Sequence, residues 1–221
     1  MTVVLIVVIL LFLFYASYSI KSQVYVKTLC RIDTSEKIVY LTFDDGVDAH
    51  QTPLVLDVLR HNNIKAAFFV IGEKIAGNED LLKQMADEGH LIGNHSFSHN
   101  NFFPLHSKKW IIADIEKCRV AIEQAIGRST TFFRPPFGVT NPAIGGAVRR
   151  LKLKTIGWSI RTYDTIDLTT EHIVDSVRRK LKPGTIILLH DRLPNSDTTL
   201  LAIIDMLKEE NYCIGNLLTD Y

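Results

Sequence analysis

Residues 37–46 read Lys-Ile-Val-Tyr-Leu-Thr-Phe-Asp-Asp-Gly, a β-rich run that stops at two carboxylates and a glycine. Its β-branched and aromatic residues predict a strand. Outward from that strand the pattern alternates. Residues 52–61 carry apolar side chains at helical spacing, 65–71 form a buried-strand run, and 78–88 are helical again. Further strands are expected at 91–94, 131–134, 154–160, 185–190 and 212–216. Helices are expected at 108–126, 141–151, 170–181 and 198–209, with Asn141 as an N-cap and Pro142 in the first turn. Strand then helix repeats six times and a seventh strand closes the series. That predicts a parallel α/β sheet, open or barrel-shaped.

The residues able to carry chemistry collect at the ends of these strands. Asp44 and Asp45 follow the first, His95 and His99 the third, and Arg134 the fourth. Asp164 lies beyond the fifth and His190 ends the sixth. In α/β barrels the C-terminal strand ends share one face, so such residues converge whatever their sequence distance. Each has an ordinary reading as well. Asp-Asp-Gly is a common turn, although adjacent carboxylates repel and a cation would relieve them. The His95–His99 spacing would set two imidazoles on one face of a helical turn, a metal-ligand spacing that surface histidines also reach by chance. His50, His61, His90, His106 and His172 read as surface or loop residues. Arg134-Pro-Pro-Phe-Gly138 could be only a rigid loop, its prolines fixing the backbone N–H of Phe137. His190 caps an apolar strand, where a satisfied core histidine is the plain alternative; alternation puts it on the same face as Leu188.

Composition narrows the function classes. The 221 residues carry 25 basic and 24 acidic side chains, a formal charge of +1, so nothing supports phosphate-driven nucleic-acid binding. Cys30, Cys118 and Cys213 have no paired spacing and read as small apolar packers rather than a disulfide framework or zinc site. No linker, low-complexity tract or repeat divides the soluble part, and no obligate protein partner is indicated.

Mean hydropathy is +0.12, raised by one end of the chain. Residues 2–20 hold no charge, and 3–15 are uninterruptedly apolar. As a helix they would span roughly 28 Å, close to a bilayer's hydrocarbon core. The expectation is an uncleaved anchor at 1–20, with a cleaved signal peptide as the rival; a basic n-region is absent and Ala16-Ser-Tyr-Ser19 is a poor cleavage site. Lys21, Lys27 and Arg31 follow the span, a weak vote for a cytoplasmic domain.

Taken together, TFDDG (42–46), HSFSH (95–99), RPPFG (134–138), Trp158-Ser159 with downstream Asp164, and LLH (188–190) stand in the order of five motifs of one family. Over about residues 36–219 the chain resembles the NodB-homology polysaccharide deacetylases, carbohydrate esterase family 4. The resemblance implies a distorted (β/α)7 barrel, here preceded by one hydrophobic helix. It implies Asp45, His95 and His99 as ligands of a divalent metal, zinc by availability, with cobalt, nickel or iron suited to the same donors. Asp44 would be the general base on a metal-bound water and His190 the acid that protonates the departing amine. Arg134 would orient the base, and Asp164 would hold Arg134. The Phe137 N–H would stabilise the oxyanion, and Leu188 would line an acetyl pocket.

Many family members have tryptophan directly after the motif-four aspartate. Here Thr165 follows Asp164, leaving the pocket wall to Trp158 or a loop aromatic and the acyl preference open. The resemblance implies removal of N-acetyl groups from N-acetylglucosamine-containing glycans: chitooligosaccharide, peptidoglycan or exopolysaccharide. Polymer substrates put the domain outside the cytoplasm, on a single-pass cell-membrane anchor. Two alternatives stay open. One is a deformylase of a lipid-linked formamido sugar on the same barrel, the other a catalytically silent glycan-binding protein.

Overall fold

The computed structural model describes residues 2–166 and 168–221. Helix α1 (Thr2–Tyr18) and a short β1 (Thr28–Leu29) precede the alternating series. That series runs β2 (Ile38–Asp44), α2 (Gln51–His61), β3 (Ala67–Val70), α3 (Glu79–Asp87), β4 (Leu91–Asn94), α4 (Lys108–Ile126), β5 (Phe132–Phe133) and α5 (Pro142–Leu151). It continues through β6 (Lys154–Ile156), β7 (Ile160–Arg161), α6 (Thr170–Lys180), β8 (Thr185–His190), α7 (Ser196–Glu209), β9 (Cys213–Ile214) and α8 (Leu217–Asp220). Local chemistry sets several of these starts. The side chains of Ser107, Asn141 and Thr169 accept the N–H of Trp110, Ile144 and His172, respectively, capping α4, α5 and α6.

The strands form one sheet in the order β1-β6-β5-β4-β3-β2-β8-β7, with β9 beside the start of β2, and its ladders are parallel. This is the distorted (β/α)7 barrel. The strand expected at 154–160 is two strands, because β6 lies beside β1 at one side of the strand order and β7 at the other end. Between them the chain crosses the seam of the barrel: Gly157 N–H bonds to Leu29 O on one side and Ser159 N–H to Ile186 O on the other. β-propensity runs unbroken through this stretch, so only tertiary structure reveals the break.

Period-two alternation then sorts the side chains. On β2, Val39, Leu41 and Phe43 join the core beneath α2, α3, α6 and α7, whereas Tyr40 faces the barrel interior. On β8, Ile187 and Leu189 point outward, and Ile186 points inward with Tyr40 and Phe69. Thr42 and Asp44, Leu188 and His190 continue the two inward rows. Asp44 stands directly opposite His190 in register, and Thr42 opposite Leu188.

Three expectations need correction. Among the described residues no helix is long and apolar enough to cross a membrane, so the single-pass cell-membrane placement and the membrane as partner are withdrawn. At 17 residues α1 is about 25 Å long, short of a hydrocarbon core of about 30 Å. Its last turn is docked on the barrel: Ala16 is buried, and Thr140 donates to Ala16 O and Ser17 O. Ile20, assigned to the same span, is also buried. His90 is not a surface residue but 1% exposed, its Nδ1 accepting the Ala66 N–H and its ring edge-on to Phe68. All three cysteines are free, yet only Cys118 is a buried packer, and Cys213 is exposed.

Burial, then the positive charge of Lys65, pushes the His90 pKa down to about 4. The unfolded chain therefore binds a proton near pH 6.5 that the folded chain refuses. The stability from neutral His90 is present above about pH 6.5 and lost as pH falls towards 4, roughly 3 kcal/mol in all. Urea unfolding across that range is expected to show the loss. His90→Asn, which keeps an acceptor for Ala66 without a titrating ring, is expected to flatten the slope.

Candidate active site

The inward rows of β2 and β8 open at their C-terminal ends into a cavity of about 500 Å³, lined by acidic, imidazole and cationic groups together with Phe137, Trp158 and Leu188. Asp44 is the last residue of β2 and still follows the strand, so its side chain continues the interior row. Asp45 has left it: a φ of +70° turns the chain, and its carboxylate swings towards the loop after β4. That loop carries His95 and His99. It is not a helical turn, as the four-residue spacing had suggested. Ser96 and His99 adopt positive φ, and the loop is held by side chains from elsewhere. Asn94 Oδ1 accepts the Ser96 N–H, Ser96 Oγ accepts the His99 N–H, and the Asp114 carboxylate accepts those of Phe97 and Ser98. The result still pairs the imidazoles, with ring centroids 4.8 Å apart.

Asp45, His95 and His99 each offer one ligand atom, all within 4.8 Å of one another. Asp45 Oδ1 lies 3.6 Å from His95 Nε2 and 3.5 Å from His99 Nε2. Protonation suits the same purpose. His95 Nδ1 is 2.8 Å from the Arg134 carbonyl, which only accepts, so that nitrogen bears the proton and Nε2 presents a lone pair. Burial, then neighbouring His95, pushes His99 down to about 4, leaving it neutral. Burial alone would raise Asp45, but the imidazoles of His95, His99 and His190 and the Arg192 hydrogen bond hold it at about 2. One carboxylate and two neutral imidazoles converging in this way fit a divalent ion.

Around this cluster stand the other expected residues. Arg134 is wholly buried, and its Nη1 meets Asp44 Oδ1 at 2.6 Å, which leaves Asp44 Oδ2 facing the cluster, 3.7 Å from His95 Nε2. Asp164 does not hold Arg134, as the resemblance had implied. It accepts both the His190 backbone N–H and Nδ1–H, each at 2.8 Å, and so fixes His190 with Nε2 towards the cavity, 4.0 Å from Asp45 Oδ2. Burial would lower the His190 pKa, but the Asp164 hydrogen bond and charge, with Asp44 and Asp45 behind them, raise it. Arg134 is held instead by the barrel seam, donating to Ile156 O and Gly157 O. Phe137 has a φ of +61° and packs its ring edge-on to His99, while Trp158 lies against Gly138.

Sequence reasoning passed over several residues that shape the site. Arg192 bonds Asp45 Oδ2 at 3.0 Å, and Lys74 bonds the Asp45 carbonyl at 2.7 Å. Both sit in loops after strands β8 and β3, where the strand-end rule could have found them. Asp114 had a clearer signal: it falls on the buried stripe of α4 with Ile111, Ile115, Cys118 and Ile122, an acid where the helical period demands an apolar residue.

Comparison with known proteins gives a family model, "Polysaccharide deacetylase", matching residues 31–156. The chain is 32% identical to the peptidoglycan-N-acetylmuramic acid deacetylase PdaA of Bacillus subtilis, over 84% of this chain and 72% of that protein. It is 35% identical to a peptidoglycan-N-acetylglucosamine deacetylase of Bacillus cereus, over 80% of this chain and 84% of that one. Among solved structures, a carbohydrate esterase family 4 pseudoenzyme of Bacillus anthracis superposes with a TM-score of 0.80 at 28% identity, covering 87% of this chain and 68% of its own.

The Arg134–Asp44 pair yields a stability prediction. Arg134→Met would leave a buried carboxylate and two seam carbonyls without their donor, and is expected to cost about 3–5 kcal/mol in urea unfolding. In an Asp44→Asn background the same substitution should cost clearly less. An equal cost in both backgrounds would show that the seam carbonyls, and not the ion pair, carry the penalty.

Proposed function

The chain belongs to the polysaccharide deacetylase family, and from that membership we propose that residues 36–219 form a metal-dependent hydrolase removing N-acetyl groups from amino sugars of a peptidoglycan-type glycan. One observation carries this reading. Asp44 and His190 stand in register on adjacent strands, facing one cavity, with the Asp45–His95–His99 cluster beside them.

Asp45, His95 and His99 would hold a divalent ion, zinc by availability, which when bound would supply Lewis acidity for activating a water and an acyl oxygen. Asp44, its Oδ1 occupied by Arg134, takes the water's proton through Oδ2. As the C–N bond breaks, His190 delivers a proton from Nε2 to the amine, which otherwise leaves very poorly. Asp164 is the positioning residue that keeps His190 oriented and protonated for that step. The Phe137 backbone N–H at the cavity edge stabilises the oxyanion, and Leu188 with Trp158 flanks the acyl group. Thr165, directly after Asp164, lines the same cavity, whose aromatic walls are Trp158 and Phe137.

The test is acetate and formate release by the whole chain, stripped of metal and reloaded with zinc, cobalt or nickel, from chitin oligomers, peptidoglycan fragments and a formamido-sugar lipid. Metal-dependent acetate release is expected. Formate alone would establish the deformylase alternative. Bound metal with no product from any of these substrates would leave the silent glycan-binding alternative; the structural neighbour above is itself described as a pseudoenzyme. Asp44→Asn is expected to retain metal while turnover falls by about 10²- to 10⁴-fold, and His95→Ala to lose both. Asp164→Asn removes what raises the His190 pKa. Because the acid must be protonated, the alkaline limb of the kcat/KM profile should then move to lower pH.

A further inference from the structure

The three candidate metal ligands are not held alike. His95 is fixed by the Arg134 carbonyl, and His99 sits in a loop braced by Ser96. Asp45 stands just past the end of β2 on a turn of positive φ, so strand geometry no longer directs its side chain. Two cations from other loops hold it instead. Lys74 Nζ donates to the Asp45 carbonyl at 2.7 Å, and Arg192 Nε donates to Oδ2 at 3.0 Å. That leaves Oδ1 to face the imidazoles, 3.6 Å from His95 Nε2 and 3.5 Å from His99 Nε2. Without Arg192, Oδ2 could turn to the ion, in a bidentate hold, or to His190 Nε2, 4.0 Å away.

Arg192 reaches Asp45 from a braced support. The preceding residue, Asp191, is fully buried; its Oδ2 accepts from the Thr52 hydroxyl at 2.6 Å, and its carboxylate packs where a Cβ on Gly46 would sit. Thr52 Oγ1 in turn accepts the Asp48 N–H. The loop after β8 is thereby pinned to the turn that carries Asp45. Charge alone argues against an arginine at this place, since a guanidinium repels a cation bound to the same carboxylate. The Arg192 side chain is 36% exposed, however, so solvent weakens that repulsion. The hydrogen bond to Oδ2 is directional, and the Asp45 side chain that accepts it is only 11% exposed. We propose that Arg192 is a positioning residue of the metal site: it occupies Oδ2, so that Asp45 presents Oδ1 alone to the ion, and through this orientation it sets metal affinity. The proposal rests on Asp45 being a ligand, as in the deacetylase reading. Fixing the unused oxygen of a ligating carboxylate is what outer hydrogen-bond partners do at metal sites.

The test needs no substrate. The whole chain is stripped of metal and titrated with zinc against a competing chelator. Arg192→Ala is expected to weaken zinc binding by about 10- to 100-fold. Arg192→Gln, which keeps an N–H donor without the charge, is expected to retain part of the affinity. Urea unfolding of the metal-free proteins shows that each variant is folded. In acetate release, turnover of Arg192→Ala at saturating zinc should fall by less than its zinc affinity does. Unchanged affinity in Arg192→Ala overturns the proposal, and so does tighter binding in both variants, which would make Arg192 only a repelling charge. A larger loss of turnover at saturating zinc than of affinity would place Arg192 on the substrate and overturn it as well. A wild type that binds no zinc overturns the metal site and the proposal together. The expected affinity losses with no acetate from any substrate overturn the deacetylase reading alone.

Discussion

The guanidinium of Arg134 is the interaction on which the site depends. It is fully buried, stacked on Phe69 at 4.1 Å, and its donors are spent on Ile156 O, Gly157 O, Thr42 Oγ1 and Asp44 Oδ1. Two of those acceptors lie where the chain leaves β6 to cross the seam, so the arginine satisfies carbonyls exposed by that departure. The same group fixes the carboxylate proposed as base. Its backbone carbonyl, in turn, takes the His95 Nδ1–H and sets that ring's tautomer. One residue thus joins seam, base and metal-ligand candidate, which is why a charge so expensive to bury is retained there.

Arg134 could not act this way without strand periodicity. Because β2 and β8 pair in parallel with Asp44 opposite His190, the proposed base and acid face each other by construction. Slipping the pairing by one residue would turn the two side chains into the apolar layer beneath α2 and α7. Phe43 and Leu189, fully committed to that layer, resist the slip. The outer core therefore enforces the geometry of the inner polar face, although none of its side chains touches the chemistry.

Much of this was legible before any coordinates. Alternation of strand and helix, polar residues gathered at strand ends, and the Asn141-Pro142 start of α5 are local signals, and local physics sustains them in the fold. What escaped depends on partners far along the chain. The His95–His99 loop is shaped by Asp114 on α4, and no four-residue spacing can report that. Asp164 was paired with the wrong residue because its distance to Arg134 and to His190 is a property of the closed barrel. Residues 154–160 read as one strand since Trp, Ile and Ser continue the pattern, so the crossing between β6 and β7 was invisible. The N-terminal run was judged on hydropathy, length and flanking charge, none of which can see that Ala16 and Ile20 at its end are buried.

The adjacent carboxylates show how one dipeptide acquires two environments, matching the two roles proposed for them. Asp44 keeps strand geometry and meets a single strong cation, with one oxygen held and the other left towards the cavity. Asp45, turned out by its positive φ, collects three imidazoles and Arg192 around a buried carboxylate. Many positive or ligand-bearing neighbours favour a permanently ionised group that shares a cation. A carboxylate with one oxygen pinned by Arg134 keeps its other oxygen fixed in direction towards the cavity. Neither environment follows from residue type, since both are aspartate. It follows from a turn of the backbone between them, and Gly46, with the Asp191 side chain packed where a Cβ would sit, leaves room for that turn to be made.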